Sequence, residues 1–252
     1  MTTVRAAAHV HSEWSDDATW SLPAIAAAFG ERGYGVVLLA DHSREFPAGR
    51  LDEYRAACAA ASTPEVLLVP GIEYNDPDNL VHVPVWGDVP FYGATPDIGE
   101  LLAKVAADGG SAVLAHPWRR DAWRRYDPAW SPLLTAVEVW NRKYDGVAPN
   151  RHAAALARRE GLPGFAAVDF HTRRQFFPLA VALRLDTGRP DPQAVYRSLR
   201  SRQFEAVFRD RPVSGLAGGG GGRAAKAAGR AMEVVERARR TSAPVLRRLR
   251  RN

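Results

Sequence analysis

Short apolar runs alternate with helical patterns along residues 4–205, and this alternation limits the chain to few folds. The candidate strands are residues 4–10, 36–40, 66–72, 112–115, 136–140, 165–168 and 179–185. The candidate helices are residues 22–32, 51–61, 97–107, 150–159 and 192–202. Such alternation predicts an α/β protein with a mainly parallel sheet, either a barrel or a doubly wound sheet. Because no glycine-rich phosphate fingerprint follows the first strand, the pattern favours the barrel.

Local signals support these element boundaries. Ser21 followed by Pro23 is typical of a helix start, and Gly30 and Gly161 stand where helices should end. Residues 80–86 interrupt the alternation and predict an extra strand or a hairpin.

Composition excludes two broad classes of protein. Hydrophobic residues make up 46% of the 252 positions, so the chain has enough apolar material for a sizeable core and is not globally disordered. No run approaches the roughly 18 apolar residues of a membrane span, and the first residues lack the apolar region of a signal peptide. The single cysteine, Cys58, has no partner for a disulfide within the chain and is expected to be a small core residue. We therefore expect a cytoplasmic protein.

Positive charge is concentrated at the C-terminal end. Residues 215–252 contain ten Lys or Arg and two Glu, whereas residues 1–214 contain 24 basic and 26 acidic residues. We predict a folded body over residues 1–214 and, over 215–252, a flexible glycine-rich linker followed by a basic, partly helical tail. The tail is suited to contact with nucleic acid or an anionic membrane, or it is a solvated extension that aids solubility.

Histidines recur at the ends of the candidate strands. Five of the seven fall at or just beyond a strand end, and a sixth lies in the extra strand. In a parallel barrel these ends converge on one face, where active sites are built. The converging donors are His9, His11, Asp16, His42, Glu73, His82, His116, Asp169 and His171. The seventh histidine, His152, lies inside a helix and is expected to have no role in the site.

This donor set predicts a metal centre. His9 and His11 are two residues apart in an extended segment, so they project from one face, and Asp169 and His171 repeat that spacing. Imidazoles and carboxylates without thiolates suit divalent Mn, Zn or Fe. Since an open catalytic site uses about three protein ligands, the number of donors predicts two or three metal ions.

The same residues form motifs that identify a known family. The motifs are His9-Val10-His11-Ser12 with Asp16, Ala40-Asp41-His42, Gly71-Ile72-Glu73 followed by His82, and His116-Pro117 with Asp169-Phe170-His171. Their order and spacing over about residues 4–175 resemble the polymerase and histidinol phosphatase (PHP) family of metal-dependent phosphoesterases. The resemblance implies a distorted (β/α)7 TIM-like barrel that binds up to three metal ions.

The resemblance also implies a ligand set for each ion. One ion is expected at His9, His11, Glu73 and Asp169; a second at Glu73, His82 and His116, with Glu73 bridging; and a third at Asp16, His42 and His171. Asp17 is the alternative to Asp16 because the two residues are adjacent.

Close metal ions predict a specific chemistry. They lower the pKa of a bridging water, so that a metal-bridging hydroxide attacks a phosphomonoester or a nucleotide-type substrate with Glu73 at the reaction centre. Asp41 is expected to orient His42 or relay a proton, or alternatively to cap backbone amides. Arg119, Arg142 and Arg173 begin loops near the predicted rim and are candidates for binding substrate phosphate.

Other functions remain compatible with the sequence. A nuclease that trims short RNA or DNA would use the basic tail for phosphate affinity. A non-catalytic scaffold would keep the metal ions for stability alone, and a metal-dependent amide hydrolase would use a similar barrel. Histidinol phosphate is a further substrate option that no feature of the chain selects.

Overall fold

The computed structural model describes residues 1–217, so the helix predicted within the basic tail lies outside the described residues. The strands are β1 (Thr2–Val10), β2 (Val36–Leu39), β3 (Asp41–His42), β4 (Leu67–Val69), β5 (Gly71–Asn75), β6 (His82–Trp86), β7 (Ser111–Leu114), β8 (Ala136–Asn141), β9 (Gly164–Ala167), β10 (Leu179–Leu185), β11 (Phe204–Phe208) and β12 (Arg211–Pro212). The helices are α1 (Leu22–Gly30), α2 (Leu51–Ala61), α3 (Ile98–Ala107), α4 (Arg151–Arg159), α5 (Pro192–Arg200) and α6 (Ser214–Ala217), with 3-10 turns at Ala48–Arg50, Arg119–Arg125, Pro128–Leu133 and Arg173–Gln175.

The strands form two six-stranded sheets, and five helices, α1 to α5, connect strands along the chain, which confirms the mixed α/β prediction. One sheet has the order β12-β11-β10-β1-β2-β4, and the other has the order β3-β5-β6-β7-β8-β9. The prediction of a mainly parallel sheet was wrong, because five of the ten strand pairings in residues 1–217 are antiparallel. The antiparallel pairings come from the β5–β6–β7 segment and from β10, β11 and β12. The interval at 80–86 is indeed a hairpin strand, β6, paired with β5.

Two chain bends divide what the sequence pattern presents as single strands. The predicted strand 66–72 is divided at Pro70 into β4 and β5, because proline has no N–H to continue the ladder. Similarly, β2 and β3 are separated at Ala40, whose N–H donates to Val10 O (2.8 Å). Each bend carries the chain from one sheet to the other.

Helix ends follow local chemistry. The Ser21 hydroxyl accepts from Ala24 N at the start of α1, with Pro23 in the first turn. Beyond α1 and α4, Gly33 (φ +75°) and Gly161 (φ +65°) adopt the left-handed conformation that terminates helices. Helix α5 ends at Arg200, two residues earlier than predicted, and Arg202 beyond it has a φ angle of +55°.

Residues 1–213 form one compact unit whose interior is made by the strands and the inner faces of the helices. Small residues in β1, Ala6 to Ala8, are completely buried, and Cys58 is buried in α2 as predicted. No helix in the described part of the chain has the length and apolar character required to cross a bilayer.

Candidate metal centre

Strand pairing brings the predicted donors to one end of the sheets. The parallel pairing of β3 with β5 sets His42 opposite Glu73. Gly71 allows this close approach, because a Cβ there would overlap Leu39 O and the Trp86 ring. The segments after β1 and β9 are joined by hydrogen bonds from His11 N to Phe170 O and from Phe170 N to His9 O, both 3.0 Å.

A cavity of about 170 Å³ opens where these strand ends meet. Its lining residues are Asp16, Asp17, His42, Arg44, Glu73, Asn75, Asn79, His82, His116, Arg119, Lys143, Tyr144 and Asp169. His9 and His11 contribute no exposed surface and contact Glu73 from the protein interior.

Three donor residues have backbone conformations that non-glycine residues rarely adopt. The φ angles are +61° at His9, +26° at His116 and +48° at Asp169. At His9 the register of β1 against β2 shifts between Ala8 and Val10, so His9 forms a bulge. Such residues cost about 1–3 kcal/mol each and persist where surrounding contacts hold them, typically at functional sites.

Glu73 lies at the centre of the donor cluster. Its Oε1 is 3.0 Å from His9 Nε2 and 3.4 Å from His116 Nε2. Its Oε2 is 3.7 Å from His11 Nε2 and 3.2 Å from His42 Nε2. The two oxygens of one carboxylate therefore face two different groups of imidazoles.

The donor atoms have the spacing of ligands around a common cation. Ligand bonds of about 2.0–2.2 Å in tetrahedral or octahedral geometry separate neighbouring donors by about 2.8–3.6 Å. The Nε2 atoms of His9 and His11 are buried and make no hydrogen bond within residues 1–217, although carboxylate oxygens lie 3.0 and 3.7 Å away. Because these nitrogens approach oxygens without hydrogen-bond alignment, the site fits divalent cations. The groups that meet this spacing are His9 with Glu73 and His116, and His9 with His11 and Asp169.

A further group of donors contains Asp17 instead of Asp16. His11, Asp17, His42 and His171 each offer an atom within 4.8 Å of the others. Asp17 lies between two imidazoles, 3.4 Å from His42 Nδ1 and 3.1 Å from His171 Nε2. Asp16 contacts only the Nδ1 of His42 (2.7 Å) among the cluster histidines. The geometry thus favours the alternative, Asp17, and makes Asp16 a partner of His42.

His82 adjoins the cluster but its ring is already bonded. Its Nδ1 is 3.0 Å from Glu73 Oε1, and its Nε2 is 2.7 Å from Asn79 Oδ1. Arg119 Nη1 also lies 3.2 Å from that Nε2. The ring therefore bridges Glu73 to the Asn79 turn, and His82 is absent from the groups with metal-ligand spacing.

The contacts of Asp41 agree with the second of its two predicted roles, which is to cap backbone amides. Its carboxylate is fully buried behind the cavity and accepts from Ser12 N (2.6 Å) and from the hydroxyls of Ser12, Ser15 and Tyr54 (2.8, 2.8 and 2.6 Å). Because the Ser15 hydroxyl donates to Asp41, it accepts from the ring of His11 (3.1 Å). Through Ser15, Asp41 is connected both to the ring of His11 and to the backbone N–H of His42 (3.0 Å from Ser15 Oγ), and it lies outside the set of residues that line the cavity.

The cluster shifts the pKa values of its own members. Burial lowers the pKa of His9, but Glu73 and Asp169 outweigh burial and raise it well above its ordinary value. Burial lowers the pKa of His11, and neighbouring imidazoles lower it further. Burial opposes ionisation of Glu73, yet the surrounding imidazoles, His9 foremost, hold its pKa well below its usual range. Imidazole protons thus balance the buried carboxylates, and divalent cations would displace those protons.

One of the three predicted phosphate-binding arginines lines the cavity. Arg119 does so, and its Nε donates to the hydroxyl of Tyr144 (3.1 Å). The predictions for the other two are not supported by their positions, because their guanidinium groups stack on rings instead. Arg142 lies 4.8 Å from the Phe177 ring centroid, and Arg173 lies 5.4 Å from that of Trp20.

The site contains further polar residues, of which Arg44, Glu138 and Asn141 were not predicted. Arg44 and Lys143 supply cationic groups to the cavity, and Lys143 Nζ is 3.3 Å from Asp169 Oδ1. Glu138 and Asn141 are fully buried in β8 beside the cluster. The available sequence signal was a lone carboxylate within the apolar run 136–140, which is rarely buried without a specific partner.

Similar folds occur in solved structures. A two-domain protein from Bacteroides vulgatus that contains a predicted PHP-like metal-dependent phosphoesterase has a TM-score of 0.61 at 16% identity, over 82% of this chain and 65% of that chain. PsfC from Pseudomonas syringae has a TM-score of 0.62 at 19% identity, over 82% and 92% of the two chains. The lesion-specific endonuclease Q from Pyrococcus furiosus has a TM-score of 0.55 at 12% identity, over 81% and 58%.

These comparisons establish the fold. The chain shares the fold of PHP-like metal-dependent phosphoesterases, which confirms at that level the resemblance found in the motifs. It spans less than two thirds of the Bacteroides protein and of endonuclease Q. No family model matches the sequence, and no curated protein sequence matches it either.

Proposed function

We propose that this chain is a metal-dependent phosphoesterase of the PHP type that acts on a phosphomonoester or nucleotide-type substrate. The observation that carries the proposal is the position of Glu73, with one carboxylate oxygen facing His9 and His116 and the other facing His11 and His42. A bridging carboxylate between two sets of imidazoles is the arrangement that holds neighbouring divalent ions.

The ligand sets of the proposal follow the measured groups. His9, His11 and Asp169 would hold one ion, Glu73 and His116 a second, and Asp17, His42 and His171 a third, since the one free nitrogen of His9 can serve a single ion. His82 remains a candidate for the second ion through its contact with Glu73. The donor types suit Mn, Zn or Fe. Divalent ions held there would supply Lewis acidity and activate a water molecule for attack on phosphorus.

Charge in the cavity supports an anionic substrate. Four lining carboxylates and three lining cations, Arg44, Arg119 and Lys143, leave one excess negative charge when the imidazoles are neutral. Two divalent ions turn this into an excess of three positive charges, which favours a phosphate dianion. Arg119 and Lys143 would hold phosphate oxygens while the attacking water forms a new P–O bond, the ester P–O bond breaks and the leaving alcohol takes up the proton that the water releases.

We also propose that the two sheets are parts of one distorted seven-stranded, TIM-like barrel. The hydrogen bonds between the ends of β1 and β9, together with the bends at Ala40 and Pro70, support this closure. Residues 1–214 would be the catalytic body and 215–252 a basic appendage that contacts nucleic acid or an anionic membrane. A cytoplasmic location is consistent with the lone buried Cys58.

The test is a substrate screen of the metal-free protein reconstituted with Mn²⁺, Zn²⁺ or Fe²⁺. The panel contains mononucleotides, nucleoside bisphosphates, sugar phosphates and short oligonucleotides. We expect release of phosphate from at least one class, with loss of that activity in His9→Ala and its retention in His152→Ala. Bound metal without hydrolysis of any ester would contradict the proposal and favour the scaffold.

The second candidate is a nuclease, which the fold likeness to endonuclease Q supports. A solved complex of endonuclease Q holds a 27-mer duplex with an abasic lesion at its active site (TM-score 0.57, 12% identity, over 79% of this chain and 57% of that chain). Deletion of residues 215–252 separates the two candidates. A nuclease that uses the tail would lose salt-sensitive oligonucleotide binding, whereas a phosphatase would keep its turnover of small substrates.

A further inference from the structure

A buried carboxylate lies directly behind the metal-type cluster. Glu138 is in the middle of β8, a strand buried along its whole length, and has no exposed surface. Burying a carboxylate is costly unless it is fully hydrogen-bonded or paired with a cation. Within residues 1–217 its hydrogen-bond partners are His9, His116 and Asn141, and none of them is a Lys or an Arg.

Both carboxylate oxygens of Glu138 bind groups that belong to the site. Oε1 accepts from Nδ1 of His9 at 2.7 Å. Oε2 accepts from the backbone N–H of His116 at 2.9 Å and from Nδ2 of Asn141 at 2.8 Å. The same Asn141 Nδ2 also donates to Asp169 Oδ2 at 3.1 Å. One carboxylate therefore connects to three residues of the donor cluster, directly or through Asn141.

The three residues that Glu138 connects are His9, His116 and Asp169, and they are the same three donors whose φ angles are positive. A strained backbone keeps its conformation only where contacts over-determine it. The side chain of Glu138 supplies such contacts to two of them directly. Asn141 extends the contact to the third.

We propose that Glu138 is a positioning residue that directs His9 and His116 towards the metal ions. Because a carboxylate only accepts hydrogen bonds, the Nδ1 of His9 carries the proton. When a divalent cation displaces the second ring proton, the lone pair of Nε2 becomes free to bind it, and this nitrogen faces Glu73 without a hydrogen-bond partner in the described residues. The inference rests on the proposed metal-dependent function. In it, Glu138 orients the metal-binding histidines and does not contact the substrate.

The substitution Glu138→Gln tests the proposal because it preserves shape while changing hydrogen bonding. Three donors converge on the two oxygens of Glu138, whereas glutamine offers one acceptor oxygen and an NH₂ group. Either one of the three donors then faces the NH₂ group, or His9 moves its ring proton to Nε2, the nitrogen that would bind metal. Removal of such a supporting partner lowers metal affinity by about 10–100-fold.

The measurement is the affinity of the metal-free protein for Zn²⁺ and Mn²⁺, obtained by competition with a chelator. We expect Glu138→Gln to weaken binding by about 10–100-fold while circular dichroism shows a folded chain. The matched control is Glu160→Gln, which makes the same change in a residue that contacts Ser131 and Arg159 away from the cavity. The control should bind both metals as the wild type does. Wild-type affinity in Glu138→Gln would overturn the inference.

A measurement on the wild type keeps the inference testable if the variant does not fold. In the Zn²⁺-loaded protein, NMR should detect a downfield, exchange-protected proton on Nδ1 of His9, bonded to Glu138. Absence of this proton would also overturn the inference. Both readouts are independent of turnover, so a metal-binding chain that hydrolyses no ester would refute the proposed function and leave the role of Glu138 standing.

Discussion

Replacement of Asp17 by asparagine should remove one metal ion from the chain, whereas the same replacement at Asp16 should not. The two carboxylates are adjacent and similarly exposed, at 47% and 44% of their side-chain surface. Neither change disturbs the core, so both metal-free variants should unfold within about 0.5 kcal/mol of the wild type. Any difference in metal binding then reports on geometry.

The expected magnitude follows from the contacts of the two side chains. Asp17 lies between two imidazoles, and it is the carboxylate of the group formed with His11, His42 and His171. Asp16 is a hydrogen-bonding partner of one of them, at 2.7 Å. Loss of a supporting partner costs about 10–100-fold in affinity, so loss of a direct, charged ligand should exceed about 100-fold, or ~2.7 kcal/mol. We expect Asp16→Asn to lose about tenfold.

The assay is elemental analysis of dialysed protein, supported by titration with Zn²⁺ or Mn²⁺. Asp17→Asn should retain one ion fewer per chain than the wild type, and Asp16→Asn should retain the wild-type number. If Asp16→Asn loses the ion and Asp17→Asn keeps it, the assignment made from the geometry is refuted. Equal behaviour of the two variants would refute it as well.

Three further predictions concern activity, folding and metal-dependent stability. His9→Ala or Asp169→Ala should abolish phosphoester hydrolysis in a chain with unchanged circular dichroism, while His152→Ala keeps near wild-type turnover. Gly71→Ala should destabilise the protein by about 1–3 kcal/mol in urea unfolding, because its Cβ overlaps Leu39 O and the Trp86 ring. Gly49→Ala, with no atom within 4 Å of the added Cβ, is the matched control and should change stability little. Metal at 100 times its dissociation constant should stabilise the fold by about 2.7 kcal/mol, which raises the thermal midpoint by about 5–10 °C until a chelator reverses the shift. An unchanged midpoint would count against metal binding.

The donor residues could be identified from the sequence because strand ends converge. His42 and Glu73 come from different strands, and parallel pairing places them side by side as predicted. Which donors share one metal ion could not be predicted from the sequence in the same way. Asp16 and Asp17 lie in a loop whose path, rather than strand periodicity, decides which carboxylate reaches His171.

Departures from the sequence predictions have identifiable physical causes. Pro70 breaks a strand that its apolar pattern presents as continuous, since proline cannot donate to the ladder. Arg142 and Arg173 follow strand ends as expected, but aromatic rings attract their guanidinium groups away from the cavity. The role of Glu138 was not predicted because it depends on hydrogen bonds from His9 and His116, which are distant in sequence.

The most direct test of the metal centre is anomalous diffraction from crystals grown with Zn²⁺ or Mn²⁺. The account predicts at least two anomalous peaks, on opposite sides of the Glu73 carboxylate and about 2.0–2.2 Å from the imidazole nitrogens of His9, His11 or His116. Crystals of fully metal-loaded protein whose anomalous peaks all lie outside this cluster would contradict it.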